Sequence, residues 1–310
     1  MFQFTYFYWK KKLMNSQKKF LLVINPISGG NDKTELVAAT REYAAESNIE
    51  LIEYETTGND DEGAIHKLYK EHTPQRILVV GGDGTVKIVA EAVENCDVII
   101  GVLPAGSANG LSVDLQLSKD PLENIKIAFH NDYMEMDMVC INGKKSLHLS
   151  DIGANAELIR NYENSSIRGK LGYALQAIST ITDLQEPFIA TIEADGKTIE
   201  TEARMIVMAN TKRYGTGVTI NPIGIMDDGK FEVVILKNLD LMFIGKILAG
   251  NISLEGNENV EIISTQQALI TTNFPVHFQI DGEYCGEVNR LDVRILHKQM
   301  KVAIPETVEV

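Results

Sequence analysis

The chain has 310 residues and a formal net charge of −14 at pH 7, from 43 acidic and 29 basic side chains. This charge argues against nucleic acid as a partner and against electrostatic adhesion to an anionic membrane. Three widely separated cysteines without metal-ligand spacing indicate a reducing, cytoplasmic environment. No apolar run approaches the roughly 18 residues that span a bilayer. A chain of this length can bury more than one core, so we expect two domains.

Strand and helix patterns alternate along the first third of the chain. Short apolar strands are predicted near residues 20–24, 49–54, 77–80 and 98–103, with amphipathic helices between them. This alternation predicts a doubly wound α/β domain, in which helices cover both faces of a parallel sheet. Ligands bind such sheets outside the carboxyl ends of the strands, and three glycine-rich loops follow strands here. We therefore predict a nucleotide-binding domain over residues 14–131.

The segment Gly81-Gly82-Asp83-Gly84-Thr85 is the most informative signal. It follows a buried strand and precedes apolar residues at helical spacing. Backbone N–H groups at a helix N-terminus favour an anion, and glycines let a phosphate approach the main chain. The Asp83 carboxylate suits a divalent cation that accompanies the phosphate. Asp-Gly is also a common hairpin turn, but the flanking strand and helix favour a phosphate-binding turn.

The pattern changes after about Asp132. Short alternating segments with Asn-Gly and Asp-Gly turns continue as far as Ile295, which predicts an antiparallel β-sandwich over residues 132–296. The segments on either side of Asp195-Gly196 alternate, so a hairpin is predicted there. The fold class is therefore α/β plus β-rich.

Four segments carry weaker predictions. The aromatic and basic residues 1–13 are expected to be a poorly ordered extension before Met14. The alternative is a segment that binds a membrane surface. Helices are expected within 169–182 and 239–249. Residues 297–310 are expected to pack back on the first domain.

Five motifs occur in an order that resembles a known family. They are Asn25–Gly30 (NPISGG), Gly81–Val86 (GGDGTV), Leu103–Asn109 (LPAGSAN), Asp227–Lys230 (DDGK) and Asp281–Glu283 (DGE). Together they resemble the diacylglycerol kinase catalytic-domain family, which includes bacterial lipid kinases and sphingosine kinases. GGDGT alone is shared with NAD kinases. The resemblance implies an NAD kinase/diacylglycerol kinase-like α/β domain beside a β-rich domain, with the active site in the cleft between them.

The resemblance also implies which residues bind ATP. The NPISGG loop and the GGDGT turn would hold the phosphates, and Ser107 would retain the hydroxyl of a loop that usually carries threonine. The implied nucleotide-binding residues are Asn25, Pro26, Ser28, Gly29, Gly30, Thr57, Gly81, Gly82, Gly84, Thr85, Gly106, Ser107 and Asn109.

Catalytic and metal-binding residues are implied in the same way. Asp83 would lie near Mg²⁺ and the reacting centre. The turn that contains Asp281 and Glu283 would project into the cleft and supply or orient the general base, an effect of roughly 10²–10⁴-fold. A structural divalent cation would be held by the Asp228 carboxylate and the main-chain carbonyls of Ile225 and Lys230.

Three positions depart from the family pattern. Gly110 follows Asn109 where many bacterial members have aspartate, and Lys87 and Ile88 replace the usual Asn-Glu pair. A carboxylate of the metal–water network is therefore missing. These departures leave open a nucleotide- or lipid-binding regulator without catalysis.

The expected function is an ATP- and Mg²⁺-dependent lipid kinase acting on a diacylglycerol, a sphingoid base or a related lipid. An NAD kinase-like enzyme is the competing enzymatic interpretation. We expect a cytoplasmic protein that contacts the membrane transiently during turnover and binds no nucleic acid. The sequence leaves open whether it forms a homodimer. His148 and His277 are expected to be core or edge residues rather than ligands.

Overall fold

The computed structural model describes most of the chain. The described residues are 17–30, 32–107, 109–154, 156, 187–213, 218–239, 246 and 254–306. The predicted extension over 1–13 and the helix over 169–182 lie outside them, as does nearly all of the helix predicted over 239–249.

The first domain contains a parallel sheet with helices on both faces. Its strands lie in the order β2-β1-β3-β4, and every neighbouring pair is parallel. The strands are β1 (Lys18–Ile24), β2 (Ile49–Glu55), β3 (Arg76–Gly81) and β4 (Ile99–Pro104). The helices are α1 (Thr34–Glu46), α2 (Asp61–His72), α3 (Asp83–Ala92), α4 (Gly110–Asp114) and α5 (Pro121–His130). The predicted α/β class is confirmed.

Strand β3 shows why this sheet is covered on both faces. Its residues Ile77 to Val80 are all fully buried. Because successive side chains of a strand point to opposite faces, Ile77 and Val79 join one core with α2 and α3, and Leu78 and Val80 join another with α1 and α5. An unbroken apolar run is therefore needed in a central strand of this kind.

The second domain is β-rich, as predicted. Its neighbouring strands pair antiparallel. The strands are β5 (Tyr133–Ile141), β6 (Lys144–Ser146), β7 (Leu149–Gly153), β8 (Phe188–Ala194), β9 (Lys197–Ala203), β10 (Met205–Ala209), β11 (Phe231–Leu236), β12 (Val260–Thr265), β13 (Gln267–Ile280) and β14 (Glu283–Ala303).

The Asp-Gly pairs adopt different structures according to their flanks. Asp195-Gly196 joins β8 to β9 with φ angles of 51° and 72°, which confirms the predicted hairpin. Asp281 also has a positive φ, of 50°, in the turn between β13 and β14. At Asp83 a helix begins instead, so the hairpin alternative at that position is wrong.

Strand β14 connects the two domains. It pairs antiparallel with β13 and β5 along most of its length. Near its end, Lys301 and Val302 pair with Ile99 and Ile100 of β4 in the parallel direction. The chain therefore returns to the first domain, and the strands of both domains form one continuous sheet. Within the described residues, no helix is long and apolar enough to cross a membrane.

We expect Val302→Ala to destabilise the protein because Val302 is fully buried where β14 lies between β4 and β5. Loss of two methyl groups and the cavity left behind should lower the free energy of unfolding by about 2–3 kcal/mol in a urea titration. Ile189→Ala is the control, since Ile189 is 45% exposed, and it should cost under about 1 kcal/mol. Equal losses would contradict a core role for the end of β14.

Candidate active site between the two domains

Asn25 organises the loop after β1 and ties it to the helix after β3. Its side-chain amide donates to Thr85 Oγ1 at 3.0 Å. Its Oδ1 accepts hydrogen bonds from the backbone N–H groups of Ile27 and Ser28, each at 3.2 Å. The Ser28 hydroxyl lies 3.3 Å from the carbonyl oxygen of Ala105, to which it donates. Three loops at the carboxyl edge of the sheet are therefore bonded to one another.

The glycines of these loops allow backbone to pack directly on backbone. A Cβ atom at Gly106 would lie 2.5 Å from the Cα of Gly82, and one at Gly29 would lie 2.6 Å from the carbonyl oxygen of Ala105. Gly29 also has a φ of 68°, which side chains disfavour. Gly84 differs, because a Cβ there would meet no atom within 4 Å. Gly29 and Gly106 therefore allow the loops to pack closely, whereas Gly84 leaves space beside the start of the helix α3.

Asp83 is half-buried and binds the start of α4. Its carboxylate accepts hydrogen bonds from the backbone N–H groups of Gly110 at 2.6 Å and Leu111 at 3.1 Å. A carboxylate is favoured at a helix N-terminus because the free N–H groups carry partial positive charge. The Asn109 side chain instead bonds the backbone of Gly106 in both directions. Gly110 therefore contacts Asp83 through its backbone.

Thr57 lies in a loop after β2 that Asp61 holds. The Asp61 carboxylate accepts hydrogen bonds from the N–H groups of Thr57 at 2.8 Å and Gly58 at 2.9 Å, and from the Tyr54 hydroxyl at 2.7 Å. Burial by itself raises the pKa of Asp61, but these hydrogen bonds lower it below its ordinary value. The loop is therefore fixed by an ionised carboxylate.

A cleft of about 740 Å³ lies between the glycine loops and the second domain. Nine predicted residues line it, namely Asn25, Ser28, Gly29, Gly82, Gly84, Thr85, Gly106, Ser107 and Glu283. The other predicted nucleotide-binding and catalytic residues lie outside its lining, namely Pro26, Gly30, Thr57, Gly81, Asp83, Asn109 and Asp281. Both domains therefore contribute walls to one cleft.

Asp281 is held firmly by the second domain. Its carboxylate accepts hydrogen bonds at 2.9 Å from the Ser146 hydroxyl and from the N–H groups of Leu147 and His148. Its side chain is only 5% exposed. Glu283, two residues later, is exposed and lines the cleft. This geometry suits Asp281 to orient the turn and leaves Glu283 free to meet a substrate.

Three lysines bring positive charge to the cleft, and sequence reasoning did not assign them a role. Lys87 Nζ lies 3.3 Å from Oδ2 of Asp281, which joins α3 to the second domain. Lys144 and Lys145 line the opposite wall, and Lys145 pairs with Glu94 at 2.8 Å. Glu62 and Glu91 line the same cleft, so the lysines offset acidic charge there and add donors that suit a phosphate-bearing ligand.

A buried cluster behind the cleft was also missed. His148 Nε2 lies 3.1 Å from Oδ2 of Asp114, and Arg213 lies on the far side of the same carboxylate. Burial alone lowers the pKa of His148, but the Asp114 carboxylate beside its Nε2 and the charges of Asp83 and Asp281 raise it above its ordinary value. The expectation that His148 is a core residue holds for its burial, yet a strand-like pattern does not predict its contact with Asp114.

The predicted metal ligands lie on a separate loop. The N–H of Lys230 donates to Asp228 Oδ1 at 2.9 Å, and Asp228 is exposed. The neighbouring Gly229 N–H donates to the fully buried carboxylate of Asp137 at 2.7 Å. One carboxylate and the two carbonyl oxygens of Ile225 and Lys230 are all hard oxygen donors, which fits Mg²⁺. Among the described residues, no group of three or more His, Cys, Asp or Glu side chains could hold a metal, so carbonyl ligands would be required.

Comparisons with known proteins agree with this geometry. Two family models match the chain, the diacylglycerol kinase catalytic domain over residues 19–141 and the YegS C-terminal NAD kinase beta sandwich-like domain over residues 150–304. The chain belongs to the diacylglycerol kinase catalytic-domain family. The matched catalytic domain implies that ATP is used.

Relatives of this family member match over nearly its whole length. A diacylglycerol kinase of Bacillus subtilis is 24% identical over 296 residues, which cover 93% of this chain and 97% of the relative. A diacylglycerol kinase of Staphylococcus carnosus is 22% identical over 280 residues, which cover 88% and 90%. The crystal structure of a diacylglycerol kinase from Bacillus anthracis has a TM-score of 0.73 at 22% identity and covers 94% of this chain and 98% of that one. The last comparison shows the shared fold.

We expect Gly106→Ala to separate the loops of this kinase-family protein. The new Cβ would clash with the backbone of Gly82, so the free energy of unfolding should fall by about 1–3 kcal/mol and ATP affinity should fall with it. Gly84→Ala is the matched control for stability alone, because its Cβ has space and alanine favours a helix by up to about 1 kcal/mol. Urea titration and calorimetry measure both quantities. A Gly84→Ala variant less stable than the wild type would contradict the conclusion that Gly84 has space for a side chain.

We expect the stability conferred by His148 to depend on pH. Its folded pKa lies above the ordinary value of 6.5, so its contribution is complete below that pH and is lost as the pH rises through the folded pKa. The stability difference between the wild type and His148→Gln should therefore be largest below pH 6.5 and shrink as the pH rises through the folded pKa. Urea titrations across this range measure it. A difference that grows with pH would contradict a charged, paired imidazole.

Proposed function

We propose that this protein is an ATP- and Mg²⁺-dependent lipid kinase, which transfers the γ-phosphoryl group of ATP to a hydroxyl of a diacylglycerol, a sphingoid base or a related lipid. The observation that carries the proposal is the cleft itself. Its one wall consists of the glycine loops at the carboxyl edge of a parallel sheet, and its other wall supplies lysines and an exposed carboxylate. Diacylglycerol is the first acceptor to test because relatives that span most of the chain carry that name.

The ATP phosphates would bind on the glycine-loop wall. Backbone N–H groups at the start of α3 carry the positive end of the helix dipole, and Gly84 leaves them accessible. Ser28 and Ser107 bring hydroxyl groups to the same wall, and Lys87 brings a positive charge. Such donors stabilise the negative charge of a phosphoryl group during transfer and need no rearrangement at that moment.

Residues of this chain would also prepare the acceptor. The oxygen of the lipid hydroxyl forms a bond to the γ-phosphorus, while the bond from that phosphorus to the bridging oxygen of ADP breaks. The hydroxyl proton would pass to the Glu283 carboxylate, which is exposed in the cleft. Asp281 would keep the turn in place, because its own carboxylate already accepts several hydrogen bonds.

Two divalent cation roles belong to the proposal. Mg²⁺ bound with ATP would neutralise phosphate charge near the reacting centre. A structural cation on the loop of Asp228, Ile225 and Lys230 would fix that loop against the rest of the second domain. The lipid would be reached through transient contact with a membrane surface, since the protein works from the cytoplasm in this proposal.

We expect Asp83→Asn and Glu283→Gln to lose turnover for different reasons. Asp83→Asn removes the charge that holds the start of α4 and that would attract Mg²⁺, so turnover should fall at least about 10²-fold. Glu283→Gln removes the proton acceptor, so kcat should fall about 10²–10⁴-fold with little change in the KM for ATP. The measurement is transfer of radiolabelled phosphate from ATP with Mg²⁺ to diacylglycerol, sphingosine, ceramide or polyprenol in mixed micelles.

The controls separate this function from its alternatives. Glu287→Gln changes an exposed glutamate of the same strand outside the cleft lining, so it should retain turnover. Parallel reactions contain NAD, because the GGDGT motif is shared with NAD kinases. Labelled NADP would move the protein to that class. ATP binding without any labelled product would favour a regulator, and full turnover by folded Asp83→Asn would overturn the assignment.

A further inference from the structure

Helix α4 lies between two carboxylates, one that binds its first residues and one carried by its last residue. The Asp83 carboxylate binds the N–H groups of Gly110 and Leu111 at the start of the helix. Asp114 is the last residue of the same helix, and its side chain is only 3% exposed. The helix is only five residues long, so Asp114 lies about one turn from the N–H groups that bind Asp83.

His148 connects Asp114 to the turn of Asp281. Its imidazole Nε2 lies 3.1 Å from Asp114 Oδ2, and its backbone N–H donates to Asp281 Oδ1 at 2.9 Å. The imidazole and the Asp114 carboxylate are 7% and 3% exposed, so water barely reaches the pair. One residue of the second domain therefore contacts both the end of α4 and the turn that carries Glu283.

Lys87 closes this arrangement into a ring. Its Nζ lies 3.3 Å from Asp281 Oδ2, and its helix, α3, begins at Asp83. The path thus runs from Asp83 through α4 and Asp114 to His148, then to Asp281, and returns through Lys87 and α3. We call these contacts the interdomain ring. They link the glycine-loop wall of the cleft to the wall formed by the second domain.

The charges of the ring support a protonated His148. Three carboxylates, those of Asp83, Asp114 and Asp281, act on the imidazole and raise its pKa against the effect of burial. Two cations also belong to the cluster, Arg213 beside Asp114 at 3.6 Å and Lys87 beside Asp281. With His148 protonated, three positive charges face three negative ones, and the cluster is neutral.

We propose that His148 is a positioning residue, which holds the start of α4 and therefore Asp83 in register with the Asp281 turn across the cleft. The proposal rests on the proposed kinase function for its kinetic consequence, but the structural coupling can be measured without it. A buried ion pair is rarely more stabilising than apolar residues of the same size. What this pair supplies is a defined direction and distance between the two walls, and phosphoryl transfer depends on such alignment.

The first measurement is hydrogen–deuterium exchange in His148→Gln, followed by mass spectrometry. Glutamine keeps a donor near Asp114 but cannot carry a positive charge. Peptides that contain the amides of Gly110 and Leu111 should exchange about ten-fold faster than in the wild type, because the ion pair between His148 and the end of α4 is lost. Asp114→Asn, which preserves side-chain size, should produce the same change and serves as the variant of choice if His148→Gln does not fold.

The second measurement is steady-state kinetics of lipid phosphorylation. The kcat of His148→Gln should fall about ten-fold while the KM for ATP stays within about two-fold, since the nucleotide wall is intact. The double variant His148→Gln/Asp114→Asn should lose no more than Asp114→Asn alone, because Asp114→Asn already removes the ion pair with His148. Because a partly unfolded variant would also lower the apparent kcat without changing KM, kcat is referred to the folded fraction of each variant, measured by circular dichroism.

His277→Gln is the matched control. His277 is another buried histidine of the second domain, in contact with Tyr284 and Glu287 and outside the interdomain ring. It should leave both the exchange of α4 and kcat as in the wild type. Unchanged exchange at Gly110 and Leu111 in His148→Gln, or additive losses in the double variant, would overturn the proposal. A wild type that phosphorylates no lipid would overturn the proposed function instead, while the exchange result would still decide the positioning role.

Discussion

The pairing of β14 with strands of both domains is the constraint on which this structure depends. This one strand runs antiparallel to β13 and β5 in the β-rich domain and then parallel to β4 in the first domain. Its backbone groups are therefore shared between the two cores, and the walls of the cleft cannot separate without breaking a sheet. The start of the same strand carries Glu283 into the cleft. A single element thus sets both the mutual orientation of the domains and the place of the exposed carboxylate.

Within that frame, the site is built from backbone rather than from side chains. The loops after β1, β3 and β4 approach so closely that Gly82 and Gly106 leave no room for a Cβ atom between them. Asn25 and Ser28 add hydrogen bonds that tie the loops together. These bonds fix the loops around the start of α3, where Gly84 leaves space beside the helix N-terminus, and a helix N-terminus favours the negative charge of a phosphoryl group. The lysines of the cleft add charge to a protein that is strongly negative overall.

Several features of the site could be predicted because they arise from local patterns. The GGDGT segment was identified from a buried strand before it and a helical pattern after it, and the structure has β3 and α3 there. The hairpin at Asp195 followed from its alternating flanks in the same way. The pairing of His148 with Asp114 could not be found like this, because 34 positions of sequence separate them and neither has a distinctive neighbour. The ion pair of Lys87 with Asp281 spans 194 positions, and Lys87 stood out only as a departure from the family pattern.

The sequence by itself determined the class of each domain, the order of the glycine loops and the family. These properties depend on the period of apolar residues and on short motifs, which act over a few neighbouring positions. Only the tertiary structure decided which carboxylate is free and which is occupied. Asp281 and Glu283 are two residues apart in one turn, yet the first is enclosed by donors from another strand and the second faces the cleft. The donors lie at least 133 positions away along the chain and meet Asp281 only when the second domain folds, so no local pattern encodes that difference.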